Sequence, residues 1–312
     1  MLVADALKHR HPGIVVEIKI IKTTGDVNQS PIPLNTVGKS WFTGEIEQAL
    51  LKGEIDLAVH SLKDISLTPV AGLQTVTVLE RADPRDVLIS RAGASCPRLA
   101  DLSSGAIIGT DSVRRKMLIL EQRPDLVVKS IRGNVDSRIK KMHAEAPAEH
   151  YDALVLAAAG LERLGILDVA TEFFDPTFFV PVSGQGVLAA QIRDGKISAG
   201  AGVEGVDRAE LLDLIHSIQH MPTHIAAEAE LAFSRTIGGG CKMPIGCYAQ
   251  VTGVEDTIVG AKGDTSVIAT SATITIHAVM ENPDTHRVLR KTISGKASDA
   301  IQLAEELARN FL

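Results

Sequence analysis

Short apolar runs alternate with helical patterns through the first two thirds of this chain, and that alternation limits the fold more than any other feature. "IVVEIKII" (14–21) reads as a strand, and "TGEIEQALLKG" (43–53) reads as a helix whose apolar residues recur at spacings of three and four. Strand-type runs follow at 55–61, 73–79, 86–90, 106–110, 126–131 and 152–159, the later ones separated by helical patterns at 112–123, 135–143 and 160–166. Continuous apolar strands between helices predict parallel sheets covered on both faces, an α/β architecture. The C-terminal part differs. A helix over 223–236, β-type runs near 247–253, 257–261 and 268–278, and a closing helix at 298–311 predict a small α+β domain. Between the two parts, 194–207 is rich in Gly and small residues without a period, and reads as a surface loop.

A length of 312 residues gives two or three domains room for real cores. Hydrophobic residues at 45% and charged residues at 22% place the chain among globular proteins rather than disordered ones. No apolar run approaches the roughly 20 residues needed to cross a bilayer, and "MLVADALKHRHPG" is too short and polar for a signal peptide. Cys96, Cys241 and Cys247 are too few and scattered for a disulfide framework, and the last two lack zinc-knuckle spacing, so no metal site is expected. The expected compartment is therefore the cytoplasm. A net charge of −6 with 3% aromatic residues argues against nucleic acid as a partner. The cations are unevenly spread, however, with Arg114, Arg115, Lys116, Arg123, Lys129, Arg132, Arg138, Lys140 and Lys141 falling close together.

Polar motifs come directly after the predicted strands: "TTGDV", "HSLKD", "TDSVRR", "RGNVDSR" and "AGLERLG". Ligands in open α/β sheets bind outside the carboxyl ends of the strands, so these motifs point to one cleft. Within it, Arg114 and Arg115 fall in the first turn of a predicted helix, where the dipole disfavours positive charge. An anionic ligand would restore the balance, with free N–H groups and guanidinium forks on one side of it. The alternative is ordinary surface arginine. In "VHSLKD", Asp64 is either a structural cap paired with Lys63 or a carboxylate that steadies positive charge on a substrate. In "GGGCKMPIG", Cys241 is either a plain thiol or a loop nucleophile freed from bulk by its glycines.

Taken together, "TTGDV", "GKSWFTGEIEQALLKGEIDLAVHSLKD", "RADPRDVLIS", "IGTDSVRRK", "RPDLVVKSIRGNVDSRI", "YDALVLAAAGLERLG", "SGQGVLAAQIR" and "GGGCKMPIG" resemble the porphobilinogen deaminase (hydroxymethylbilane synthase) family, in family order and over nearly the whole chain. The resemblance implies two lobes built like those of periplasmic binding proteins, with parallel or mixed sheets, and a small C-terminal α+β domain. The implied boundaries are 1–80 with 187–212, then 84–181, then 216–312. It implies a transferase that deaminates four porphobilinogens in turn, adds them to a dipyrromethane cofactor held by a thioether to Cys241, and releases linear hydroxymethylbilane. By motif match Asp64 is the catalytic carboxylate, stabilising an azafulvenium-like cation as ammonia leaves. Lys63, Thr110, Ser112, Arg114, Arg115, Arg132 and Gly133 would hold the cofactor with Cys241, while Arg138, Arg163 and Gln185 would bind substrate. A monomer acting on a small molecule, without nucleic acid or membrane, is implied.

The chain departs from the family pattern at several points. Family members open with a strand and helix carrying R-x-S-x-L-A, whereas this sequence starts partway along that helix, without an inner strand of the first sheet. A shortened start is the favoured explanation, and an inactive paralogue that only binds carboxylated pyrroles is the alternative. A two-lobed solute-binding protein is a third reading, which leaves Cys241 unexplained. Ser66 stands in place of a usual proline, Asp111 of a usual serine and Gln191 of a usual glutamate, and 194–207 has no counterpart. Asp111 or Ser112 is expected as the N-cap of the helix that follows, and Asp111, an acid close to the arginine pair, either caps that helix, which is the favoured role, or weakens anion binding.

Overall fold

The computed structural model describes residues 1–24, 43–144, 150–194, 208–238, 243–253 and 272–312. Its first sheet is completed by a strand from late in the chain. Strand β8 (Leu188–Arg193) lies between β1 (Ala58–Ser61) and β2 (Leu73–Val78) and runs antiparallel to both, with Ala58 opposite Gln191 and Val78 opposite Leu188. The alternation of strands and helices predicts a parallel sheet here. The difference arises because the chain returns from the second lobe to insert β8, so neighbours in space are not neighbours in sequence. Helix α1 (Leu2–Arg10) buries Val3 and Leu7 against Val76, Val78, Ala190 and Ile192, and α6 (Arg208–His216) adds Ile215. Each such aliphatic side chain contributes roughly 1.5–3 kcal/mol by leaving water. Helix α2 (Gly44–Leu51) closes another part of the sheet with Leu50 against Ala58 and Leu73.

Residues 14–21, expected as a strand, form none. Among the described residues no ladder pairs with them, Val15, Ile18 and Ile20 are exposed, and Lys19 reaches Glu54 at 3.2 Å. β propensity needs a neighbour to satisfy the backbone, and among the described residues the first sheet consists of β1, β8 and β2 alone. The small-residue segment beyond Asp194 lies outside the described residues.

The second sheet has the order β5-β4-β6-β3-β7, built from β3 (Asp86–Ser90), β4 (Ile107–Gly109), β5 (Val127–Lys129), β6 (Ala153–Ala157) and β7 (Glu172–Phe173). β4 is parallel to β5 and β6, while β3 is antiparallel to β6 and β7. Every residue of β3 and β6 is buried, as strands covered on both faces require. Helix α3 (Val113–Gln122) covers one face with Met117, Leu118 and Ile119. The other face takes Met142 of α4 (Val135–His143) and Leu161 of α5 (Ala158–Arg163). Each of these helices follows a strand, so the β4, β5 and β6 carboxyl ends and three helix N-termini share one edge.

The C-terminal part is an antiparallel sheet of β9 (Ile245–Thr252), β10 (Thr273–Glu281) and β11 (Val288–Lys296) under two helices, α7 (Met221–Ile237) and α8 (Ala300–Arg309). Phe233, Ile274, Ile276 and Leu307 form its core. The run expected at 257–261 lies outside the described residues. β11 has no apolar run in its sequence because it is an edge strand with charged residues facing water. This sheet leans on the second lobe: Tyr248 and Val279 join the cluster of Leu88 and Val180, and Arg290 reaches Glu121 at 2.6 Å. A Cβ at Gly246 would stand 2.5 Å from the Val180 carbonyl oxygen, so the contact is made by bare backbone.

Candidate active site

Two chain segments cross between the first and second sheets, one from Leu79 to Arg85 and one from Pro181 to Val187, and they meet at buried charge. Arg81 donates to both oxygens of Glu230 on α7, at 2.6 and 3.3 Å, and its Nε donates to the Gln185 carbonyl at 2.8 Å. Glu230 is fully buried and also accepts the backbone N–H groups of Gly184 at 2.6 Å and Ala249 at 2.8 Å. Four donors on one carboxylate tie α7, β9 and both crossings together. Gly186, at φ 86°, packs so closely that a Cβ would sit 2.5 Å from the Ala82 carbonyl oxygen.

The turn that carries Lys63 and Asp64 is fixed by the residue before them. Leu62 is buried against Val187, Ala189 and Ala227, and its N–H donates to the Val187 carbonyl at 3.0 Å. That anchor leaves Lys63 half-buried and Asp64 exposed at the end of β1. Burial pushes the Lys63 amine below the usual lysine range; Asp64 sustains its charge, Arg115 opposes it, and Asp86 and Arg114 act more weakly in the same two senses. Lys63 therefore faces the carboxyl edge of the second sheet.

Arg114 and Arg115 do not wait for a ligand to offset their charge. Ser112 is the N-cap of α3, accepting the Arg115 N–H at 3.3 Å, and both arginine side chains are buried against Asp86 at the start of β3. Arg114 donates from Nη2 to one oxygen at 2.7 Å, and Arg115 donates from Nε and Nη2 to the other at 3.0 and 2.7 Å. Gln185 adds a bond to the same carboxylate at 3.0 Å. Burial alone would raise the Asp86 carboxyl, but the two guanidinium groups outweigh it and hold the group down at about 2. The helix dipole argument holds, and the compensating anion is internal. Neither Asp86, Arg81 nor Glu230 stands out in the sequence as a site residue. The available signal was an acid opening a strand with no other charge, "DVLIS".

On the neighbouring loops, Thr110 is buried and accepts the Ser112 N–H at 3.2 Å. Asp111, expected to cap α3, does not: the cap is Ser112, and Asp111 instead accepts from Ser130 Oγ at 2.5 Å and pairs with Arg132 at 2.8 Å. Its short side chain turns toward the end of β5, away from the helix N–H groups. Gly133 takes φ 113° and presents its carbonyl to Arg138 Nε at 2.6 Å. Burial works against the Arg138 charge, Arg115 opposes it further, Asp111 favours it, and Asp64 also favours it weakly. Arg163 at the end of α5 donates to Ser61 Oγ at 3.3 Å and to the Gly186 carbonyl at 2.9 Å; burial works against its charge, while Glu162 and, less, Asp64 favour it. Gln191 is buried on β8, 3.5 Å from Glu47, and exposed Ser66 only turns its own loop.

Cys241 lies outside the described residues, in the connection from α7 to β9. Cys96 is half-buried, and Cys247 is buried with its thiol pushed well above the usual range, first by burial and then by Glu230. A buried thiol of that kind is a poor nucleophile.

Residues 1–199 match the family model for the porphobilinogen deaminase dipyromethane cofactor binding domain, and residues 224–312 match that for the porphobilinogen deaminase C-terminal domain. The chain is 40% identical to the porphobilinogen deaminase of Thermus thermophilus, over 99% of this chain and 89% of that one. It is 38% identical to the corresponding protein of Trichlorobacter lovleyi (98% and 86% covered) and 36% identical to that of Roseiflexus castenholzii (100% and 90%).

Proposed function

Because this chain belongs to the porphobilinogen deaminase family, we propose that it is the transferase that joins four porphobilinogens, each with loss of ammonia, and releases hydroxymethylbilane. The observation that carries the reading is the meeting of cations from both lobes at the end of β1: Arg163 of the second lobe donates to Ser61 Oγ at 3.3 Å, and Lys63 shares the turn that follows with the exposed carboxylate of Asp64. A pyrrole bearing acetate and propionate needs cations around it and one anion for its ring N–H. The cations at this edge also fit the dipyrromethane cofactor, whose acidic side chains would be held by Lys63 and Arg132 and whose attachment point would be Cys241, leaving Arg138 and Arg163 for the substrate. When bound, the cofactor supplies the pyrrole carbon that begins the chain.

Asp64 accepts the pyrrole N–H and offsets positive charge as the aminomethyl group departs, which is stabilisation of charge that develops only in the transition state. Lys63 and the arginines hold carboxylates by charge-assisted bonds. Arg114 and Arg115 share Asp86 and so present roughly one net positive charge between them, with Thr110, Ser112 and Gln185 holding their loops in place. We further propose the domain limits 1–80 with 187–212, 84–181 and 216–312, a cytoplasmic monomer, and no nucleic-acid or membrane partner; among the described residues no helix is long and apolar enough to cross a membrane.

Intact-mass measurement of the purified protein tests the reading. A dipyrromethane adduct is expected on the wild type and on Cys96→Ser, and is lost in Cys241→Ser together with porphobilinogen consumption. An unmodified wild-type mass with no consumption of porphobilinogen would overturn it.

A further inference from the structure

We propose that Asp111 is a built-in competitor for the ligand's carboxylates: by holding Arg132 it lowers the affinity of the cleft for acidic pyrroles and so sets substrate binding. The inference rests on the function proposed above.

The cations at the sheet edge fall into three kinds by partner. Arg114 and Arg115 share a carboxylate with no exposed surface, and a charge buried that fully exchanges partners only at great cost. Arg138 and Arg163 donate to neutral acceptors, the carbonyls of Gly133 and Gly186 and the Ser61 hydroxyl, so their charge is not cancelled there. Arg132 is held by a full negative charge, and that pair is accessible, with side-chain exposures of 26% for the arginine and 35% for Asp111. An accessible pair is worth little, which makes it exchangeable.

The placement is imposed by the fold. β4 and β5 are parallel neighbours, with Ile107 opposite Val127, so the loops after them emerge side by side. Asp111 leads from one loop and Arg132 from the other, and the Ser130 hydroxyl aims the carboxylate across the gap. The field of Asp111 also reaches Arg138. One acid therefore stands against two of the cations assigned to the ligand. A carboxylate arriving at Arg132 must displace Asp111 or share the guanidinium with it.

Two roles for Asp111 predict opposite signs. If it competes, removing it tightens binding; if it merely positions Arg132, removing it loosens binding. The test compares wild type, Asp111→Ser, Asp111→Asn and Asp111→Glu as full-length protein. KM and kcat for porphobilinogen consumption are measured together with the thermal shift produced by tricarballylate, a simple polycarboxylate. Competition predicts a KM about threefold lower in Asp111→Ser and Asp111→Asn, the order set by one partly exposed ion pair, with kcat nearly unchanged. The half-saturating tricarballylate concentration falls by a similar factor, and Asp111→Glu stays near wild type. An unchanged or raised KM in an active wild-type background would overturn the inference, as would an unchanged or raised tricarballylate requirement. A wild type without adduct or turnover would overturn the proposed function instead, and the tricarballylate arm would still decide the role of Asp111.

Discussion

Replacing Asp86 by Asn keeps its shape and removes its charge, leaving two buried guanidinium groups facing an amide. In the wild type Asp86 is fully buried, and Arg114 and Arg115 make three bonds to it at 2.7–3.0 Å. Breaking a buried pair by deleting one partner costs about 3–5 kcal/mol, because the stranded charge keeps its desolvation penalty. Asp86→Asn should therefore lose about that much in urea unfolding at pH 7, followed by far-UV circular dichroism. The pH dependence carries a separate sign. The folded carboxyl sits at about 2 against an ordinary 3.8, so its stabilisation is fully present above about pH 4 and is lost as pH falls through about 2. That difference corresponds to about 2 kcal/mol, so the gap between wild type and variant should narrow by about that amount across this window. A variant within about 1 kcal/mol of wild type at pH 7 would refute the reasoning. Arg114 and Arg115 would then not depend on Asp86 for their counter-charge.

Glu230→Ala should cost about 3–5 kcal/mol in the same urea assay, and adding Arg81→Ala should cost little more, since the pair fails as a unit; fully additive losses would contradict the bonding described. Lys63, pushed below the usual lysine range by burial, should lose its charge at lower pH than an exposed lysine, so KM for porphobilinogen should rise on the alkaline side. In Lys63→Arg that limb of the KM–pH profile should move upward in pH or vanish, and an unmoved limb would assign it to another group.

The sequence made the second lobe legible because its strands are buried on both faces, and "DVLIS" and "ALVLA" are apolar or nearly so throughout. The first lobe was less legible. β8 becomes intelligible only once the chain has crossed twice, and no local pattern in "LAAQIR" says that it will separate β1 from β2. Residues 14–21 carry β propensity, but propensity does not supply a partner. Among site residues, Arg114 and Arg115 were conspicuous because they oppose the helix dipole, whereas Asp86 was hidden. A counter-ion more than twenty-five positions away in sequence leaves no periodic trace. Asp111 and Ser112 suit an N-cap equally well by residue type and position, and only the fold, which draws Asp111 to Ser130 and Arg132, decides for Ser112.

The segment from Gly184 to Val187 links these observations. Glu230 holds the Gly184 N–H, Asp86 holds the Gln185 side chain, and Arg81 holds the Gln185 carbonyl. The same four residues then support the site: the Gly186 carbonyl accepts from Arg163, and the Val187 carbonyl accepts from Leu62, which anchors the turn carrying Lys63 and Asp64. The two buried carboxylates therefore do more than neutralise arginines, for they fix the backbone from which a cation of the second lobe and the exposed acid of the first are both positioned. The cost of burying them is offset within one short crossing, at the place where a shift of either lobe would separate Asp64 from Arg163. It follows that Asp86 and Glu230 set the spacing between Asp64 and Arg163, the carboxylate and the cation proposed above to act on the substrate.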